Sequence, residues 1–174
     1  ISASSPIGVF DSGLGGLSIW KEIHQLLPNE NTIYLADSKN APYGEKSKQE
    51  IIDFSVKNTE YLLAQGCKMI VVACNTATTN AIKVLRANYD VPFIGIEPAI
   101  KPAALQTKTH KIGVLATKGT LSSELFISTS EQYRASKNII EVEGKGLVVL
   151  IEEGKLEQTK PLLEQYLKPL VAEG

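Results

Sequence analysis

Ile7-Gly8-Val9-Phe10-Asp11-Ser12-Gly13-Leu14-Gly15-Gly16 begins as an apolar, β-favouring run, then turns polar and glycine-rich. A helical period follows: Ile19, Ile23, Leu26 and Leu27 recur at i, i+4, i+7 and i+8, a spacing that lines one side of an α-helix. The alternation continues along the chain. Apolar runs at Thr32–Leu35, Met69–Ala73, Phe93–Ile96, Ile112–Ala116 and Ile139–Val142 are separated by longer stretches of helical period. One of these is Lys46–Gln65, with Ile51, Phe54, Tyr61 and Leu62 toward one face. Another follows Cys74, with Ala81, Val84 and Leu85. Strands that are nearly all apolar are covered on both faces, and strand–helix–strand alternation makes neighbouring strands parallel. The expected fold is α/β with largely parallel sheets.

Glu97-Pro98-Ala99 follows the fourth strand and precedes a new alternation, so two α/β domains are expected, residues 1–97 and 98–174. The second offers two clear strands and then a helical segment, Gln158–Ala172, with Leu162, Leu163, Tyr166, Leu167, Leu170 and Val171 toward one side. Pro161 suits the first turn of that helix. Pro169 is expected to kink it or end it early, and Glu173-Gly174 reads as its stop. A further strand is expected next, so the second domain reads as truncated at its C-terminal end.

The 174 residues carry 18 Lys and Arg against 19 Asp and Glu, a net charge of −1, with 43% hydrophobic and 21% charged residues. This is an ordinary globular composition. It lacks the basic excess that non-specific nucleic-acid or membrane-surface binding requires. No apolar stretch approaches the ~18 residues of a membrane span, and Ile1–Pro6 does not read as a signal peptide. Cys67 and Cys74, seven positions apart, make no disulfide framework, which fits a reducing, cytoplasmic setting. His24 and His110 have no partners at metal-ligand spacing, so no metal is expected and both read as surface residues. Trp20 reads as packing.

In open parallel sheets, ligands bind beyond the carboxyl ends of the strands. Those ends carry Asp11-Ser12, Asp37, Cys74-Asn75-Thr76, Glu97 and Thr117. The glycines at 13, 15 and 16 either let the backbone aim free N–H groups at an anion, or form a tight strand-to-helix turn capped by Ser12 or Ser18. Their spacing is neither the dinucleotide fingerprint nor a P-loop, which argues against a nucleotide cofactor. Ala41-Pro42-Tyr43-Gly44 reads as a plain loop or as a rigid one whose backbone and Tyr43 close over a ligand. Cys74 sits between strand and helix, where the helix N-terminus favours a thiolate; alternatively it is a small buried hydrophobe. Asn75 and Thr76 can cap that helix and grip a carboxylate. Cys67 precedes its strand, at the opposite end from this site.

Asp11-Ser12-Gly13 with Gly15-Gly16, Ala41-Pro42-Tyr43-Gly44 and Ala73-Cys74-Asn75-Thr76-Ala77 occur in this order. The combination closely resembles the glutamate racemases of the cofactor-independent Asp/Glu racemase family. The resemblance continues through Gly95-Ile96-Glu97-Pro98, Ile112-Gly113-Val114, Thr117, Gly119-Thr120 and Leu150-Ile151-Glu152. It implies two α/β domains facing each other across the active site, no cofactor, glutamate as substrate, and a supply of D-glutamate for peptidoglycan. It admits a homodimer. Carried over residue by residue, Cys74 is one of two catalytic thiols, and Asp11 assists it or orients the substrate ammonium. Glu152, beside Glu153, supports the chemistry. Ser12, Tyr43, Gly44, Asn75, Thr76, Thr117 and Thr120 match substrate-binding positions.

One departure is large. The family's second catalytic Cys stands in a Gly-Cys-Thr-His motif, which these 174 residues do not contain, so the resemblance is to the N-terminal two-thirds of such an enzyme. Two alternatives stand beside it: an aspartate or hydantoin racemase of the same fold, or a non-catalytic amino-acid-binding fragment.

Overall fold

All six apolar runs are strands, each within a residue or two of the expected bounds. The structure, a computed structural model, describes residues 2–174; Ile1, the first residue of the expected first domain, lies outside them. The first sheet contains β1 (Ile7–Asp11), β2 (Thr32–Ala36), β3 (Met69–Val72) and β4 (Phe93–Gly95), with α1 (Leu17–Leu26), α2 (Lys48–Ala64) and α3 (Asn75–Asn88) between them. After β4 come α4 (Ile100–Gln106), β5 (Lys111–Ala116), α5 (Lys118–Leu121), α6 (Glu124–Arg134), β6 (Asn138–Glu143), α7 (Leu147–Glu152) and α8 (Thr159–Ala172). The strand order is β2-β1-β3-β4 in one sheet and β5-β6 in the other, and every pairing is parallel.

β1 is buried along its whole length. On one face Phe10, Ile70 and Val72 pack against Ile51 and Leu62 of α2 and Ala77, Ala81 and Leu85 of α3. On the other, Ile7, Val9, Val71 and Ala73 meet Ile19, Trp20 and Ile23 of α1. The second sheet packs Ile112, Val114 and Ile139 against Ile100, Ala104 and Phe126 of α4 and α6. Its opposite face receives α8, whose Leu170 fills the space above Gly113.

Several apolar stripes are narrower than their periodicity implied. Leu26 is 80% and Leu27 42% exposed, because α1 ends there, and Trp20 takes their place in the packing. Tyr61 of α2 is exposed, as are Leu167 and Val171 of α8. Pro169 does not end α8, which continues to Ala172. Proline removes one N–H near a terminus, and packing of Leu170 on Gly113 carries the last turn. Gly174 adopts φ 86°, the left-handed stop expected there. Among the described residues no helix is long and apolar enough to cross a membrane.

Candidate active site

In the order β2-β1-β3-β4, the chain leaves β1 toward β2 and later leaves β3 toward β4, so the loops after β1 and β3 diverge. A crevice forms at such a switch point, beyond the carboxyl ends of the strands. Here it is a cleft of about 550 Å³, closed on its far side by the second sheet and α7. Asp11, Ser12, Tyr43, Gly44, Cys74, Asn75, Thr76, Thr117, Thr120 and Glu152, separated by up to 141 positions in the chain, all line it.

The glycine turn after β1 holds a carboxylate of its own chain. Asp11 is 6% exposed, and its Oδ2 accepts hydrogen bonds from the N–H groups of Gly13 (3.2 Å) and Gly16 (2.9 Å). From across the cleft, Glu152 Oε1 accepts from the Leu14 N–H at 2.8 Å. Of the glycine N–H groups expected to await an external anion, those of Gly13 and Gly16 are therefore engaged by Asp11, and Glu152 takes the Leu14 N–H between them. Neither Ser12 nor Ser18 caps α1: its N-cap is Gly16, without a side-chain bond, and the Ser18 hydroxyl donates to Gly15 O.

Cys74 itself is the N-cap of α3, and its Sγ accepts from the Ala77 N–H at 3.4 Å. The thiol in turn lies 3.6 Å from the Ser12 hydroxyl, to which it donates. The helix N-terminus does not produce a resting thiolate. Burial, with the Asp11 charge second, pushes the thiol pKa up to about 11, outweighing the lowering effect of Ala77 N–H and Ser12. Asn75 and Thr76 accordingly do not cap α3. Asn75 is exposed at the mouth of the cleft, and Thr76 is buried.

The opposite wall is built of hydroxyls. Thr76 Oγ1 lies 2.8 Å from Thr117 Oγ1 and 3.1 Å from Thr120 Oγ1, and Thr117 donates to Thr120 at 3.2 Å. Thr117 is the N-cap of α5, so this triangle joins the starts of two helices from the two sheets. Asn80 Nδ2 of α3 adds a bond to Gly119 O at 3.0 Å. Beside it, Ala41–Gly44 runs into a short 3₁₀ turn, Tyr43–Glu45. The Tyr43 hydroxyl donates to Asp37 Oδ2 at 2.5 Å and accepts from Asn58 Nδ2 at 2.9 Å. It is thus tied into the first sheet, and the ring and backbone of this loop face the cleft.

Some residues stand apart. Cys67 is buried beside Gly8, where a Cβ would lie 3.0 Å from its Sγ, and does not line the cleft. His24 is exposed and stacks on Trp20, whose indole N–H donates to Thr32 Oγ1. His110 is exposed beside Lys137. No group of three or more His, Cys, Asp or Glu among the described residues is placed to hold a metal. The sequence reading missed Tyr34, whose hydroxyl donates to Gly13 O at 2.9 Å. Its signal was parity: Tyr34 stands opposite Val9 on β1, two residues before the strand-end Asp11. It also missed Val148 and Ile151, which give the second wall its apolar part.

The chain is similar to known proteins in both sequence and fold. A glutamate racemase of Ectopseudomonas mendocina is 50% identical over 99% of this chain and 66% of its own length. Among solved structures, a glutamate racemase isoform of Bacillus anthracis superposes with a TM-score of 0.85 at 34% identity, covering 97% of this chain and 65% of that one. The Escherichia coli glutamate racemase, in complex with L-glutamate and the activator UDP-MurNAc-ala, superposes with a TM-score of 0.84 at 36% identity, covering 95% and 64%. The chain thus spans just under two thirds of the length of these relatives. The profile of the Asp/Glu/Hydantoin racemase family matches residues 7–174, and with a relative half identical to it throughout, this chain belongs to that family.

Proposed function

We propose that this chain carries one half of the catalytic apparatus of a glutamate racemase, which interconverts L-glutamate and D-glutamate by proton transfer at Cα between two opposed thiols. The observation that carries the reading is Cys74, a buried thiol in a cleft with the Asp11 carboxylate on one side and three threonine hydroxyls on the other. That the near relatives, up to 50% identical, are glutamate racemases supports glutamate over aspartate.

In this mechanism one thiolate removes the Cα proton, while the thiol on the other face of the same carbon gives up its own. The C–H bond breaks on one face and forms on the other. The negative charge passes from one sulfur to the other, and no net proton is gained or lost. Cys74, with its raised pKa, rests as the donor. It becomes the base in the opposite direction, once a substrate ammonium near Asp11 offsets the carboxylate charge that disfavours its thiolate. Ser12, Asn75, Thr76, Thr117 and Thr120 hold the carboxylates with hydroxyl, amide and backbone donors, which also stabilise charge developing at Cα. Tyr43 and Gly44 shape the same wall. The second thiol belongs to the portion of the relatives' length that this chain does not match. The product serves peptidoglycan synthesis in the cytoplasm. In an enzyme of the relatives' full length, following optical rotation with L- and D-glutamate, and with L-aspartate as control, tests the reading: turnover of aspartate in preference to glutamate overturns it.

A second reading is a non-catalytic amino-acid-binding domain. Its specific support is that Cys74 is the one thiol lining the cleft among the described residues. In a protein of the relatives' full length, calorimetric titration with D-glutamate beside a turnover assay separates them, since a binder gives heat without racemisation.

A further inference from the structure

We propose that Tyr34 is a positioning residue of this site: it holds the Gly13–Leu14 peptide group in the orientation through which Glu152 closes onto the Asp11 turn. The proposal deepens the racemase reading and rests on it.

One peptide group carries both contacts. Its carbonyl oxygen, on Gly13, accepts from the Tyr34 hydroxyl at 2.9 Å. Its N–H, on Leu14, donates to Glu152 Oε1 at 2.8 Å. The C=O and N–H of a planar trans peptide point in opposite directions, so fixing one aims the other. Tyr34 belongs to the first sheet and lies beneath α1, among Val9, Val71 and Ala73. Glu152 reaches over from α7, 138 residues away. The peptide is therefore a link between the two walls, pinned on the inside by Tyr34 and gripped on the outside by Glu152.

The glycines show why this segment needs pinning. A Cβ on Gly13 would lie 2.2 Å from the Glu152 carboxylate, and one on Gly16 would lie 2.8 Å from Tyr34 Oη and 2.7 Å from Asp11 Cβ. Both positions must be bare for Glu152 and Tyr34 to approach. A turn of such residues can rotate its peptide planes at small cost, and Gly13 N also donates to Asp11 Oδ2. Without the Tyr34 hydroxyl, the Gly13–Leu14 plane is free to turn, Leu14 N–H leaves Glu152, and the turn that orients Asp11 loosens. Tyr34 suits the task because it remains a donor: burial, then the charges of Asp11, Glu152 and Cys74, raise its pKa further above the ordinary tyrosine value.

Amide hydrogen exchange in the ¹⁵N-labelled chain tests this, with D-glutamate affinity read by calorimetry on the same samples. Tyr34→Phe deletes the hydroxyl and keeps the ring. It is expected to speed Leu14 exchange at least tenfold while Val9 and Phe10 amides keep their protection, and to weaken D-glutamate binding about tenfold. Glu152→Ala is expected to do the same, Glu152→Gln to retain most of the protection, and Tyr34→Phe to add less than threefold in the Glu152→Ala background. Independent, multiplying effects, or unchanged Leu14 exchange in Tyr34→Phe, overturn the proposal. Should Tyr34→Phe fail to fold, the Glu152 pair still decides whether this peptide is the link: equal Leu14 exchange in the Ala and Gln variants overturns it. Exchange needs neither substrate nor turnover. Coupled exchange in a chain that ignores glutamate counts against the racemase reading alone, and uncoupled exchange in a chain that binds glutamate counts against the Tyr34 role alone.

Discussion

Gly44 and Thr117 approach so closely that a Cβ on Gly44 would lie 2.6 Å from Thr117 Cβ. The neighbour there is a branch point, which no rotamer can move, and it belongs to the N-cap of α5. The contact is therefore a spacer, within the hydroxyl wall, between the elements that follow the first sheet's strands and those that follow the second's. Gly44→Ala is expected to push them apart, lowering stability by about 1–3 kcal/mol and weakening D-glutamate binding by more than tenfold. Gly13→Ala meets only the flexible end of Glu152, so its stability should stay within about 1 kcal/mol of the parent. Urea unfolding and calorimetry of the two variants check the contrast. Equal destabilisation would show that Gly44 is not a spacer.

Alkaline stability should report the burial of Cys74. Its thiol pKa is raised from 9.0 to about 11 in the folded chain, so between these values the unfolded chain releases a proton that the folded chain keeps. Stability is then unaffected below pH 9 and falls as pH rises toward 11, by about 2–3 kcal/mol in all. Cys74→Ser lacks this loss. Unfolding free energies of parent and variant at pH 8 and pH 10.5 should converge or cross in that direction, and a gap widening in favour of the parent would mean a thiolate stabilised by the fold.

In an enzyme of the relatives' full length, Cys74→Ser should abolish racemisation while glutamate still binds, because a serine hydroxyl is too weak an acid to exchange with a Cα proton. Cys67→Ser, in the core and away from the cleft, should leave turnover within a few-fold. Asp11→Asn should lower kcat by the equivalent of roughly 3–5 kcal/mol with a smaller change in KM. Initial rates in both directions decide, and an unchanged kcat with a raised KM would limit Asp11 to substrate binding.

Tyr43→Phe separates scaffold from ligand contact. The hydroxyl joins Asp37 to Asn58, and its loss leaves the buried Asn58 amide without that acceptor, at a cost of about 1–3 kcal/mol. D-glutamate affinity should stay within about threefold. A tenfold loss of affinity in a variant that unfolds like the parent would place the hydroxyl on the ligand.

The strands were legible because both sides of the first sheet are covered, so each announces itself as an unbroken apolar run such as Ile7–Phe10. The residues at their carboxyl ends could then be named before any geometry was known. What could not be read depends on distant neighbours. Helix position alone argued for a Cys74 thiolate, whereas its protonation is decided by the tertiary cover that removes water from it. The N–H groups of the glycine turn looked free because their acceptors cannot be read from strand-end position: Asp11 folds back onto those of Gly13 and Gly16, and Glu152, which takes that of Leu14, lies 138 residues on. Pro169 broke a local rule whose cost was offset by Leu170 packing on a glycine of another element.

Each hydroxyl of the Thr76–Thr117–Thr120 triangle can donate or accept. With Thr117 donating to Thr120, the three hydrogen bonds can close one circuit, Thr117 to Thr120 to Thr76 and back to Thr117, and this circuit opens by rotation of three hydrogens. This wall can turn from self-satisfied to all-donor without displacing a heavy atom or altering its net charge. Its affinity for an acceptor should be indifferent to pH over the range in which Cys74 titrates, so any alkaline change in ligand binding would originate on the Asp11–Cys74 side.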